Sequence, residues 1–114
     1  DQRMDELSTL GNNAIAEFYQ DRGFATSTLN SADLSLPDAT LKELAGGDAQ
    51  TNANITRSIL SGEETGPKRD AVLLNAGAAL FVAGKADAIS TGMELAAAAI
   101  ENGRAAEKLL ALAR

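Results

Sequence analysis

The sequence predicts an α/β chain in which a short β-hairpin precedes a cluster of about five helices. Residues before position 37 fall into short, loosely alternating pieces broken by a glycine-containing turn. Residues 37–114 are rich in alanine and leucine and are punctuated by capping residues, glycines and Pro67. With 45% hydrophobic and 23% charged residues, the 114-residue chain reads as globular and long enough for a core without disulfides or metal.

Ala14-Ile15-Ala16-Glu17-Phe18-Tyr19 reads as the first strand and Phe24-Ala25-Thr26-Ser27-Thr28-Leu29 as its return. Between them, Asp21-Arg22-Gly23 supplies turn chemistry, because glycine takes a positive φ without steric cost. Past Pro37, Asp38 can cap a short helix through Leu44; Thr40 with Glu43 offers an alternative capping box. Gly46-Gly47 ends that helix. Asp48 caps the next, where Ala49, Ala53, Thr56 and Leu60 recur at helical spacing and Gly62 closes it.

Pro67 suits the first turn of a third helix, where its missing N–H costs nothing. From Ala71 to Ala83 that helix is apolar all round apart from Asn75, so it should be packed on several sides. Ser90 or Thr91 opens a fourth helix, with Thr91 and Glu94 at capping-box spacing, and Asn102-Gly103 ends it. A last helix runs from Arg104 to Ala113. The many alanines favour helix and let helix axes approach closely.

Composition excludes several chemistries. There is no cysteine, hence no disulfide scaffold, thiolate metal site or cysteine nucleophile. There is no histidine either, which removes the usual neutral-pH base and the Ser–His–Asp triad. A formal charge of −6 and an aromatic content of 4% disfavour nucleic-acid binding through phosphates or stacking. The longest apolar run, Ala71 to Ala83, falls short of the roughly 20 residues that a membrane span needs. The opening Asp1-Gln2-Arg3-Met4-Asp5-Glu6 lacks a signal-peptide layout and reads as the interior of a longer sequence.

Four constellations are candidates for chemistry. Asp5-Glu6 is an adjacent acidic pair of the kind that can hold Mg²⁺, a hard cation that takes a few oxygens plus water and phosphate, but taken alone the pair reads better as two solvated acids near an element terminus. Gly46-Gly47-Asp48 has the look of a phosphate turn, but Asp48 would repel an anion there, so a helix stop and cap is the better reading. Lys68-Arg69 stands at the wrong end of its helix for the macrodipole and reads as a solvated basic patch beside Glu63-Glu64. Asn75, an amide inside an apolar helix, needs hydrogen-bond partners, and backbone of a neighbouring loop is the expected one.

Together these strings resemble anthranilate phosphoribosyltransferases. Met4-Asp5-Glu6-Leu7-Ser8 begins the match, and Leu44-Ala45-Gly46-Gly47-Asp48-Ala49 with Asn52-Ala53 continues it. Gly66-Pro67-Lys68-Arg69-Asp70-Ala71-Val72-Leu73-Leu74-Asn75-Ala76 follows, then Ala78-Ala79-Leu80 and Ala83-Gly84-Lys85-Ala86. The ending, Ile100-Glu101-Asn102-Gly103-Arg104-Ala105-Ala106-Glu107-Lys108-Leu109, completes a resemblance dense from residue 44 and thinner over residues 9–36.

The resemblance implies the C-terminal part of a phosphoribosyltransferase-type α/β domain: one partial domain over 1–114, with a hairpin part over 1–36 and a helical part over 37–114. It implies transfer of phosphoribosyl from phosphoribosyl pyrophosphate to anthranilate in tryptophan biosynthesis, in a cytoplasmic homodimer using Mg²⁺. Asp5 and Glu6 match the family's magnesium-binding acids. No catalytic or substrate-contacting residue is assigned in this chain. The family's glycine-rich loop, Lys-His-Gly segment and anthranilate-contacting arginine have no counterpart here, so the chain alone is expected to be inactive and to need the remainder of the enzyme. Gln2-Arg3 departs from the family's Asp-Gly. Two other readings are a nucleic-acid-binding paralogue of the same fold and a small helical interaction module.

Overall fold

The structure, a computed structural model, describes residues 4–114. Two antiparallel strands, β1 (Asn13–Tyr19) and β2 (Gly23–Leu29), lead into a 3-10 turn at Ser31–Leu34. Five helices follow: α1 (Leu41–Leu44), α2 (Ala49–Leu60), α3 (Pro67–Val82), α4 (Ile89–Glu101) and α5 (Arg104–Leu112). The hairpin and the helical cluster expected from the sequence are both present; Gln2-Arg3 lies outside the described residues.

The hairpin register runs from Asn13 opposite Leu29 to Tyr19 opposite Gly23. Along β1, Asn13, Ile15, Glu17 and Tyr19 are half-buried while Ala14, Ala16 and Phe18 are exposed, as a period of two requires. Phe18 and Phe24 face each other across the strands on the outward side, 76% and 68% exposed. At the turn, the Arg22 guanidinium lies 3.8 Å from the centre of the Tyr19 ring, and the Tyr19 hydroxyl donates to Glu17 Oε1 at 2.7 Å.

Side-chain caps open the 3-10 turn, α1 and α2, whereas α3, α4 and α5 start without one. Of the two alternatives for α1, Thr40 is the cap: Glu43 Oε2 accepts from the Thr40 N–H at 2.8 Å and Thr40 Oγ1 accepts from the Glu43 N–H at 3.3 Å. Asp48 Oδ1 accepts from the Thr51 N–H at 2.8 Å and opens α2. The 3-10 turn, which the sequence reading omitted, has its own capping box between Asn30 and Asp33. α4 departs from expectation. It starts at Ile89 after an extended Ala88 with no side-chain cap, so Ser90 and Thr91 lie within its first turn and the Thr91–Glu94 box is not its cap. Its hydrogen bonding already begins with Gly92 N–H to Ala88 O at 3.0 Å, where the helix is pressed against α3.

That α3–α4 contact is backbone to backbone, and glycine makes it. A β-carbon on Gly77 would lie 2.7 Å from Met93 N and 2.8 Å from Ile89 O; one on Gly92 would lie 2.9 Å from Gly77 Cα. The two backbones therefore touch without side chains between them. Beside the crossing, Ile59 of α2, Leu73 of α3 and Ile100 of α4 form the core, with Ile55, Met93, Ala96 and Ala97 packed against it. Leu74 is only 1% exposed.

The hairpin touches the helices sparsely. Between them lies a cleft of about 580 Å³ bordered by Ile15, Leu29, Leu34, Phe81 and Ile89. What joins the strand layer to the helices is the segment before β1. Asn75 Oδ1 accepts from the Leu7 N–H at 2.9 Å, and Asn75 Nδ2 donates to Leu7 O and to Ala71 O, each at 2.9 Å. The expected loop-backbone partner of Asn75 is thus Leu7, 68 residues away. Both amide hydrogens are used, which fixes the amide's orientation.

Two substitutions test this framework. Asn75→Leu should lower stability by about 1–3 kcal/mol, because the half-buried peptide groups of Leu7 lose their partners. Denaturant unfolding measures it, and an unchanged midpoint would mean that water replaces the amide at no cost. Gly92→Ala should cost about 1–3 kcal/mol by forcing α3 and α4 apart. A midpoint like the parent's would show that the helices separate freely.

Candidate functional site

The segment Met4–Asn12 has no regular structure, so its peptide groups must find partners elsewhere. Two asparagines supply them. Asn75 bonds both the N–H and the carbonyl of Leu7. Asn13, the first residue of β1, does the same for Ser8: its Oδ1 accepts from the Ser8 N–H at 2.7 Å and its Nδ2 donates to Ser8 O at 2.9 Å. Asn13 Nδ2 also reaches Gly11 O at 3.3 Å and Leu29 O at 3.2 Å, which ties the segment to both strands. Ser8 Oγ accepts from the Leu10 N–H at 3.0 Å and closes a local turn.

The result is a segment with a fixed, buried middle and a free acidic start. Ser8 and Thr9 are 4% and 1% exposed. Asp5 and Glu6, immediately before Leu7, are exposed in a bend and neither carries a hydrogen bond or ion pair to another described residue. Leu7 itself borders the cleft beneath the hairpin. Among the described residues no group of three or more acids is arranged to hold a metal ion. Two adjacent exposed carboxylates nevertheless suit Mg²⁺, which takes one or two carboxylates and fills its remaining positions with water and phosphate oxygen.

The other sequence candidates serve structure. Gly46-Gly47-Asp48 is a helix stop and cap: Asn52 Oδ1 accepts from the Gly47 N–H at 2.8 Å and Asn52 Nδ2 donates to Gly47 O at 3.1 Å. Hydrogen bonds from Thr51 hold the Asp48 carboxyl below the usual carboxylate range, so it is a committed cap. Lys68-Arg69 is tied more firmly than a solvated patch beside Glu63-Glu64. Lys68 Nζ donates to Glu43 O, and Arg69 lies 3.7 Å from Glu101. Glu64 Oε1 accepts from the Gly66 N–H at 2.8 Å, just before α3.

Of the residues singled out in the sequence, the fold brings Asn75 to Leu7, the residue after the acidic pair, and leaves the others apart. Asn13 and Thr9 were missed. Asn13 had a signal, an asparagine opening an apolar alternating run; Thr9, whose Oγ1 has no partner among the described residues, had none.

A family model described as glycosyl transferase family, a/b domain, matches residues 2–106. The chain is 47% identical over 111 residues to an anthranilate phosphoribosyltransferase of Syntrophotalea carbinolica, covering 97% of this chain and 31% of that protein. It is 45% identical over 105 residues to one of Haloferax volcanii, covering 92% and 31%. The crystal structure of anthranilate phosphoribosyltransferase from Thermus thermophilus superposes with a TM-score of 0.76 at 37% identity, covering 90% of this chain and 30% of that one. The chain spans about a third of the length of these relatives. With the match running through nearly every described element, from the acidic segment into α5, the chain belongs to the glycosyl transferase family, a/b domain.

Proposed function

We propose that this chain works as the C-terminal part of an anthranilate phosphoribosyltransferase, contributing the acidic segment Asp5-Glu6 to the phosphoribosyl pyrophosphate site. The observation that carries the reading is 43–47% identity, over nine tenths or more of the chain, to proteins of that name. The sparse hairpin–helix packing supports the place of the chain within a larger domain, because a two-stranded sheet is marginal on its own. Exposed Phe18, Phe24, Val82 and Leu112 support it too, since such surface normally finds cover. Magnesium, a homodimeric assembly and a cytoplasmic setting accompany this reading through the family resemblance.

In the proposed reaction the anthranilate nitrogen bonds to the anomeric carbon while the bond from that carbon to pyrophosphate breaks. Pyrophosphate leaves with the electron pair and the amine loses a proton. Mg²⁺, when bound, offsets the charge that gathers on the departing pyrophosphate. Asp5 and Glu6 would hold the cation, and Leu7, bound to α3 through Asn75, keeps the acids at a set height on the segment. Such a displacement depends on alignment and charge neutralisation and can proceed without a histidine from this chain.

In the complete transferase, replacing Asp5 with Asn and Glu6 with Gln preserves shape and removes two charges. Turnover should fall by on the order of 10²-fold or more with the fold retained. Steady-state kinetics across a magnesium titration decides it, and parental activity with parental magnesium dependence would remove the pair from the site. The 114-residue chain alone should consume no anthranilate in the presence of phosphoribosyl pyrophosphate and Mg²⁺. Turnover by the isolated chain would defeat the reading of it as a part.

A further inference from the structure

We propose that Asn75 is a positioning residue for the acidic pair: its amide, held on α3, sets where Asp5 and Glu6 present their carboxylates. The inference rests on the metal-binding role given to that pair above. Three features of the structure lead to it. The amide bonds both peptide groups of Leu7, the residue directly after Glu6, so it fixes position and rotation of the backbone at that point. It is itself immobilised by the Ala71 carbonyl one turn earlier, at 2.9 Å. And Asn75 lies two residues from Gly77, where α3 rests on the α4 backbone, so the base of the clamp adjoins a backbone-to-backbone helix contact.

Asn13 grips the next residue, Ser8, in the same two-handed way, and the backbone has little freedom downstream of the acids. The acids themselves have no partner among the described residues that could hold them. Their placement is therefore inherited from Leu7. A stabilising amide needs only one good bond; an amide that takes both the donor and the acceptor of one residue specifies register, as a strand partner does. Groups outside the ligand shell that orient ligands this way change metal affinity by about 10–100-fold when replaced.

The experiment uses the complete transferase and its variants Asn75→Leu and Asn75→Gln, alone and combined with the paired change Asp5→Asn and Glu6→Gln. Asn75→Gln keeps the amide but displaces it by one bond, about 1.5 Å. Two readouts are taken well below each variant's melting temperature: calorimetric binding of Mg²⁺-pyrophosphate, and the Mg²⁺ concentration for half-maximal turnover. Both asparagine variants should weaken Mg²⁺-pyrophosphate binding about 10-fold or more and raise the magnesium requirement to match. In the background lacking the acids, the same changes should alter neither readout, since they act through the missing groups.

Lower thermal stability with parental magnesium behaviour would overturn the proposal and leave Asn75 as a structural amide. So would an equal effect with and without the acids. If Asn75→Leu fails to fold, Asn75→Gln decides; failure of both to fold would show a structural role and likewise overturn it. If removing the acids leaves the magnesium response parental, the metal-binding reading itself has failed, a pattern separate from the others.

Discussion

The pairing of Asn75 with Leu7 is the connection on which the arrangement of this molecule turns. A hairpin and a set of helices meet here with little side-chain packing between them and a cleft of about 580 Å³ where a core would ordinarily be. A two-stranded sheet is marginal without a partner surface, so some other interaction must set its place. The amide of Asn75 holds Leu7, and the amide of Asn13 carries that hold from Ser8 into β1 and β2. Directional bonds to backbone do this better than apolar contact, which is non-directional and tolerates sliding.

An anchor is useful only on a rigid base. α3 has one because Gly77 and Gly92 let its backbone rest on that of α4, while Leu73, Ile59 and Ile100 close the core beside the crossing. Asn75 and Gly77 lie about half a turn apart, so different directions around α3 carry the helix contact and the loop clamp. This accounts for an amide in an otherwise apolar helix. The desolvation cost of a half-buried carboxamide is offset because all of its hydrogen-bonding directions but one are filled.

Local chemistry was legible in the sequence; contacts between distant segments were not. Asp48 marks a boundary through its side-chain cap, Pro67 and Gly103 through their backbone preference, and each stands at the helix end its chemistry predicts. Gly103, at φ 82°, separates α4 from α5 in a conformation that side-chain-bearing residues avoid. The start of α4 misled because Ser90 and Thr91 have capping chemistry, whereas packing at Gly92 sets that end of the helix. Asn75 could be read as an amide in need of partners, but nothing local names a residue 68 positions away. Asp5-Glu6 was visible as a pair, and the amide clamp on Leu7 beside it was not.

The distribution of charge completes the picture. The chain carries 16 acidic and 10 basic residues, and the basic ones in described contacts are engaged away from the acidic segment. Arg22 covers the Tyr19 ring, Arg57 donates to Asn54, Lys68 reaches the Glu43 carbonyl and Arg69 pairs with Glu101. A carboxylate held by a neighbouring cation would have to break that pairing before taking up a metal. Carboxylates already in water exchange only hydration, which a hydrated Mg²⁺ also carries into its site. Firm backbone beside acids that have no ion-pair partner among the described residues suits the cation site proposed above, with the rigidity supplied by uncharged amides.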